Sequence, residues 1–224
     1  LNKKTKMKYI FLVALLFSTL LSNSTQQKVS LGVGTFLQTQ PYHGVDSKVL
    51  LSPVVFFDNE LFYVRWSRVG FYFLGEKNDD FTWALSFTAK PRTYGYKSSD
   101  IFGMQKREET WEGGVALSLI KNDIHLEVIL LHDLLNKHNS WLVETELSYD
   151  FKLGDFSIFP SITAHYQAKD FLEYYYGVRA SEAIQRGETQ YIPDAGFQFG
   201  VQTFISYPLT KKLPVLVNVR ADKL

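Results

Sequence analysis

The sequence predicts an all-β protein, an antiparallel up-and-down transmembrane β-barrel. Three observations predict it. Runs of alternating apolar and polar residues, long enough to cross a bilayer, recur through most of the chain. Their apolar faces begin or end in aromatics, and short turns alternate with mostly longer loops. The hairpin 141–167 carries the pattern most clearly. Trp141, Val143, Thr145, Leu147 and Tyr149 share one face of its first strand, with Leu142, Glu144, Glu146 and Ser148 opposite. After the turn 152–155, Phe156, Ile158, Pro160, Ile162, Ala164 and Tyr166 oppose Ser157, Ser161, Thr163, His165 and Gln167. Side chains alternate faces along a strand, so this is a sheet with one apolar and one polar side. A soluble antiparallel sheet would alternate too. Both runs, however, reach the roughly nine to eleven residues that a tilted strand needs to cross a bilayer.

Composition narrows the class. The chain has 18 Phe, 13 Tyr and 4 Trp in 224 residues, yet its mean hydropathy is near neutral. That suits apolar residues spread over every second position and not the concentrated runs of a helical membrane protein. There is no Cys, so disulfides, thiolate nucleophiles and Cys-ligated metals are excluded.

Residues 1–24 read as a secretory signal: lysines Lys3, Lys4, Lys6 and Lys8, an apolar run over 9–21, then small polar residues Ser22, Asn23 and Ser24. The apolar run is shorter than the roughly 20 residues of a membrane-spanning helix. The formal charge of +1 includes those four lysines; without them 20 basic residues stand against 23 acidic ones, near −3. With no basic run elsewhere, nucleic-acid binding has no electrostatic support. Residues 25–224 are then expected to form a single outer-membrane barrel domain.

The first strand carries Val29, Leu31, Val33, Thr35 and Leu37 on one face. The second, 49–57, aligns Leu51, Pro53, Val55 and Phe57. The third sets Phe62, Val64 and Trp66 against Tyr63, Arg65 and Ser67, and a shorter fourth covers 69–75. The fifth aligns Phe81, Trp83, Leu85, Phe87 and Ala89, and a polar loop is expected over 90–109. The sixth sets Trp111, Gly113, Val115, Leu117 and Leu119 against Glu112, Gly114, Ala116 and Ser118. The seventh sets Ile124, Leu126, Val128 and Leu130 against His125 and Glu127. The hairpin 141–167 supplies the eighth and ninth, and a second long loop is expected over 168–193. The tenth carries Phe197, Phe199, Val201, Thr203, Ile205 and Tyr207; the last legible strand carries Leu213, Val215, Val217 and Val219 against Asn218 and Arg220. Eleven strands are thus legible, whereas single-chain bacterial barrels have even numbers. The reading is a 12-stranded barrel whose last strand is missing from this sequence, so a C-terminally incomplete domain; a ten-stranded count is the alternative.

In the second long loop, the segment Glu173-Tyr174-Tyr175-Tyr176-Gly177-Val178, then Ser181-Glu182-Ala183 and Tyr191, resembles the Tyr-Tyr-Gly-Val segment of the MipA/OmpV family, whose founder name means MltA-interacting protein. Gly32-Val33-Gly34, Pro41-Tyr42-His43-Gly44, Pro53, Gly103-Met104 and His132-Asp133 match in the same order, so the resemblance covers about residues 28–220. Arg179 departs from the small residue more usual after Val178, and the closing strand is missing. The resemblance implies a Gram-negative outer-membrane barrel. The founding member is described as a scaffold joining a lytic murein transglycosylase to a bifunctional penicillin-binding synthase. Other members are linked to osmotic or antibiotic response and to adhesion, so fold transfers better than partner. The expected function is accordingly a non-enzymatic scaffold for murein-synthesising and hydrolysing machinery, embedded in outer-membrane lipid. A narrow channel for small solutes is the alternative.

No cofactor or metal is expected. His43, His132 and His138 fall in or beside outer loops, while His125 and His165 point inward, and no pair has helical ligand spacing. His132 and Asp133 are adjacent and face opposite sides of a strand, which argues against a hydrolytic pair. Ser161, Thr163 and His165 share the inward face, as any polar lumen row would, without a nucleophile elbow. Two groups remain as candidate sites. Tyr174, Tyr175, Tyr176, Gly177, Val178 and Tyr191 are expected to narrow the barrel mouth or to anchor its rim. Glu112, Glu127, Glu144 and Glu146, with Arg65 and Arg220, are expected as acidic and basic walls facing across the lumen, forming either a salt-bridged filling or a charged constriction.

Overall fold

The computed structural model describes residues 29–38, 42, 45, 47–78, 80–210 and 213–223. The leader 1–24 and His43 lie outside them. Twelve strands form one antiparallel sheet: β1 (Ser30–Gln38), β2 (Lys48–Asp58), β3 (Phe62–Arg65), β4 (Arg68–Lys77), β5 (Thr82–Arg92), β6 (Thr110–Lys121), β7 (Ile124–Asp133), β8 (Trp141–Tyr149), β9 (Phe151–Leu153), β10 (Phe156–Gln167), β11 (Gly196–Thr210) and β12 (Leu213–Lys223). Each strand pairs with its sequence neighbour, and both β8 and β9 pair with β10. β8 and β9 are one strand split opposite Pro160: the ladder lapses between Ser148↔Ser161 and Phe151↔Ile158, where proline has no N–H to donate. Counted so, eleven strands run along the sheet, and β1 and β12 pair on one side only among the described residues.

Burial is inverted relative to a soluble sheet. Leu31, Val33, Phe87, Leu130, Ile162, Phe199 and Val201 are exposed, while Ser86, Thr88, Glu112, Glu144, Thr163, His165, Gln167 and Gln198 are buried. An apolar exterior around a polar interior is the arrangement a bilayer selects. Aromatic clusters mark both ends of the outer face: Trp141, Tyr166 and Phe197 with centroids 5.2 Å apart along the row, and Phe156 with Tyr207 at 4.8 Å. Short turns follow local chemistry. Asn122 and Gly154 adopt left-handed φ of 52° and 59° in two-residue hairpin turns. Asn59 Oδ1 accepts the N–H groups of Leu61 and Phe62 in the β2–β3 turn.

Three sequence expectations need correction. β5 runs to Arg92, so the loop begins at 93 and not 90: Pro91 stands beyond the last β4 partner of β5, Val69↔Ala89, where a strand edge tolerates proline. β3 ends at Arg65, and Trp66 and Ser67 make the tip of a short hairpin. The segment read as loop over 168–193 contains two helices, α1 (Lys169–Tyr176) and α2 (Ala180–Arg186). No helix among the described residues is long and apolar enough to cross a membrane.

Candidate functional site

The inward face of the sheet carries the chemistry in three layers. The layer nearest the long loops is a cap. In α1, Phe171, Leu172 and Tyr175 fall on one helical face and are buried against inward side chains of β6, β7 and β8: Ala116, Ile129, Leu131 and Leu142. An eight-residue helix is marginal alone, so this packing supplies its stability. Tyr175 Oη donates to the Glu108 carbonyl at 3.2 Å, and the Glu108 N–H donates to Tyr174 Oη at 2.9 Å. Tyr176 packs at the edge of the same cluster. Gly177 caps α1 through its N–H to the Glu173 carbonyl. Val178 and Tyr191 form an antiparallel bridge that closes the α2 segment. The six residues expected at the mouth therefore form a folded unit, with Tyr175 turned inward and Tyr191 exposed.

Arg107 and Glu182 lock this unit to the 93–109 loop. The pair is bidentate, at 2.8 and 2.9 Å, and its two side chains are 0 and 1% exposed. Arg107 also donates to the carbonyls of Tyr174, Gly177 and Gln105. The Glu182 carboxylate accepts the N–H groups of Gln105 and Arg179, the latter starting α2. Burial opposes charge on Glu182. The Arg107 hydrogen bond and these two backbone donors outweigh it and bring its pKa down to about 2. Burial pushes the Tyr175 phenol upward, so it stays a neutral hydrogen-bond donor.

Beneath the cap lies a layer of ion pairs. Arg92 binds Glu112 through Nε and Nη2 at 2.9 and 2.6 Å and reaches Glu144 at 2.8 Å. Lys90 donates to Glu144 at 2.6 Å. His138 Nε2 lies 3.3 Å from Glu112, with its ring edge-on to Phe171. The third layer, toward the short turns, is a cavity of about 480 Å³ bordered by Arg65, Trp66, Arg68, Glu127, Glu146 and Arg220. Arg68 pairs bidentately with Glu127 at 2.7 Å, and Arg65 joins at 3.2 Å. Glu146 receives the Gln202 amide at 3.5 Å. Arg220 pairs along its own strand with Asp222 at 2.8 Å and lies 3.4 Å from His165.

All six expected lumen charges thus face inward, but they do not divide into opposing walls. Glu112, Glu127 and Glu144 meet cations from β3, β4 and β5 directly, and Arg220 pairs with none of the four glutamates. Arg68, Lys90, Arg92 and Arg107 are not among the site residues expected from the sequence, and Glu182 figures there only within the Ser181-Glu182-Ala183 segment. A signal for two of them existed: Thr88, Lys90 and Arg92 continue the inward period of β5 through Pro91. Asp133 is a loop staple, accepting the N–H groups of Leu135, His138 and Asn139 and the Thr110 hydroxyl. The ring of His132 turns to the Asp133 carbonyl instead. Among the described residues no three His, Asp or Glu side chains converge as metal ligands.

Residues 31–224 match the family described as MltA-interacting protein MipA. A putative outer membrane protein of Escherichia coli K12, YiaT, is 26% identical over 95% of this chain and 87% of its own length. The MltA-interacting protein of the same organism is 24% identical over 91% of this chain and 82% of its own. The outer membrane protein OmpV of Vibrio cholerae is 23% identical over 70% and 61%. No solved structure matches the chain. The inverted burial of the sheet and a family match over almost all of the described strands agree: the chain belongs to the MipA family and is an outer-membrane protein of the β-barrel class.

Proposed function

We propose that this protein is a non-enzymatic outer-membrane scaffold that holds periplasmic murein machinery. The first partner is a lytic transglycosylase, and a penicillin-binding synthase joins through the same assembly. The observation that carries this reading is the alignment with a relative named MltA-interacting protein over 91% of the chain. The geometry is compatible with it: the cap of α1 and the Arg92–Glu112–Glu144 layer occupy the inward face, which disfavours a wide pore. Partner contacts fall on the short turns near Asp58, Asn122 and Gly154, which share one end of the sheet. Full-length protein immobilised in detergent is expected to retain purified MltA. Loss of retention on replacing the turn residues would locate the contact, and no retention by the intact protein would overturn the proposal.

The second reading is a narrow channel, favoured by the cavity beneath the ion-pair layer. Clear single-channel steps in planar bilayers, with no retention of MltA, would select it. Removal of 171–192 would then raise conductance if the cap narrows the mouth.

A further inference from the structure

Among the described residues, three of the four glutamates Glu112, Glu127, Glu144 and Glu146 have cationic partners and Glu146 has none. Glu127 and Glu146 face each other directly across the β7–β8 ladder. Two arginines, Arg65 and Arg68, converge on Glu127. Among the described residues no cation reaches Glu146, whose one hydrogen bond, from Gln202, is at the long limit of such contacts. Like charges directly opposite on neighbouring strands repel, so the Glu127–Glu146 pair favours a positive group arriving beside Glu146. The β10 residue opposite Glu146 is Thr163. Thr163 Oγ1 and Ser161 Oγ are buried without a partner among the described residues, but neither residue borders the cavity.

The cavity that Glu146 borders also carries a cation with spare capacity. Arg220 engages Asp222 through Nε and Nη2, leaving Nη1 uncommitted among the described residues. Phe56, Trp66 and Phe204 supply apolar wall between these groups. A simple cation at Glu146 would meet the fields of Arg65, Arg68, Lys90 and Arg220, and a simple anion those of Glu127, Glu144 and Glu146. A molecule carrying both charges turns each repulsion into an attraction. A volume of about 480 Å³ lies within the range of small-molecule sites.

We propose that this cavity binds a small dipolar solute, an amine and a carboxylate joined by a short hydrocarbon spacer. The ammonium sits at Glu146 and the carboxylate at Arg220. The ligand enters from the side of the short turns, because α1 and the Arg92 ion pairs cover the other side. This site is independent of the scaffold reading and stands or falls on its own test.

The test is calorimetric titration of the purified full chain in detergent with 4-aminobutyrate and 6-aminohexanoate, beside butylamine and butyrate. Saturable one-to-one binding of at least one amino acid is expected, with both singly charged probes weaker by about tenfold or more. Glu146→Gln is expected to weaken binding by about tenfold to a hundredfold, the range of one charge-assisted hydrogen bond. It should fold at least as well as the parent, because it removes one of two facing carboxylates; urea unfolding in vesicles checks this. The proposal is overturned if neither amino acid binds the parent saturably. It is equally overturned if butylamine or butyrate binds as tightly as the amino acids, or if a folded Glu146→Gln protein binds unchanged. The comparison among probes needs no variant, so a folding failure would not shield the proposal.

Discussion

Arg107 and Glu182, 75 residues apart, form a fully buried bidentate pair that ties the 93–109 loop to α2. Arg107 also donates to the Tyr174 and Gly177 carbonyls at the end of α1 and to Gln105 in its own loop, so one guanidinium gathers three segments. Removing one partner of a buried pair typically costs about 3–5 kcal/mol, because the other is left desolvated and unpaired. Glu182→Ala is therefore expected to open the cap locally. Amide hydrogen exchange in 169–186 should accelerate by several orders of magnitude while the strands of β6 and β7 remain protected. Unchanged exchange in α1 would show that packing alone holds the cap.

The same pair sets an acid limit. The folded pKa of Glu182 is brought down to about 2, below the ordinary carboxylate range of about 4.3. A depressed folded pKa contributes stability that is present above the unfolded pKa and is lost as pH falls toward the folded one. Cap protection should therefore be flat from pH 7 to pH 5. It should decline between about pH 4 and pH 2, as the contribution of the Arg107–Glu182 pair is lost. A midpoint near pH 5 in exchange-corrected protection factors would contradict the assignment to Glu182.

Arg92 anchors the middle layer by holding Glu112 and Glu144 together. Arg92→Met leaves two carboxylates with Lys90 and His138 as their remaining neighbours, and should lower stability by about 3–5 kcal/mol. Adding Glu112→Gln should recover part of that loss, since it removes the carboxylate left without Arg92 while Glu144 keeps Lys90. Urea unfolding of the refolded proteins in lipid vesicles measures both.

Gly70 gives Tyr63 its path. The two are direct partners across β3 and β4, and a Cβ at position 70 would stand 2.1 Å from the Tyr63 ring. With that space open, Tyr63 reaches Ser86 on β5 at 3.1 Å. Gly70→Ala should displace the ring and cost about 1–3 kcal/mol. Tyr63→Phe keeps the ring and loses only the hydroxyl bond, so about 1 kcal/mol is expected in the same assay.

The strands, the sidedness of the sheet and most of its turns were legible in the residues alone. These depend on period-2 alternation and on turn residues such as Asn122 and Gly154, which act within a few residues of themselves. The inward direction of Glu112, Glu127, Glu144 and Glu146 follows from the same alternation. The tertiary structure decided which charges meet. Arg65 reaches Glu127 from four strands away and Arg92 reaches Glu144 from three, which depends on how the strands come together in space. It also decided that the tyrosine-rich segment is a helix, because Phe171, Leu172 and Tyr175 have a burial site only once β6, β7 and β8 stand side by side. Glu146 illustrates the division: its place in the inward row was legible from Trp141 onward, but that no cation among the described residues reaches it was visible only in the assembled sheet.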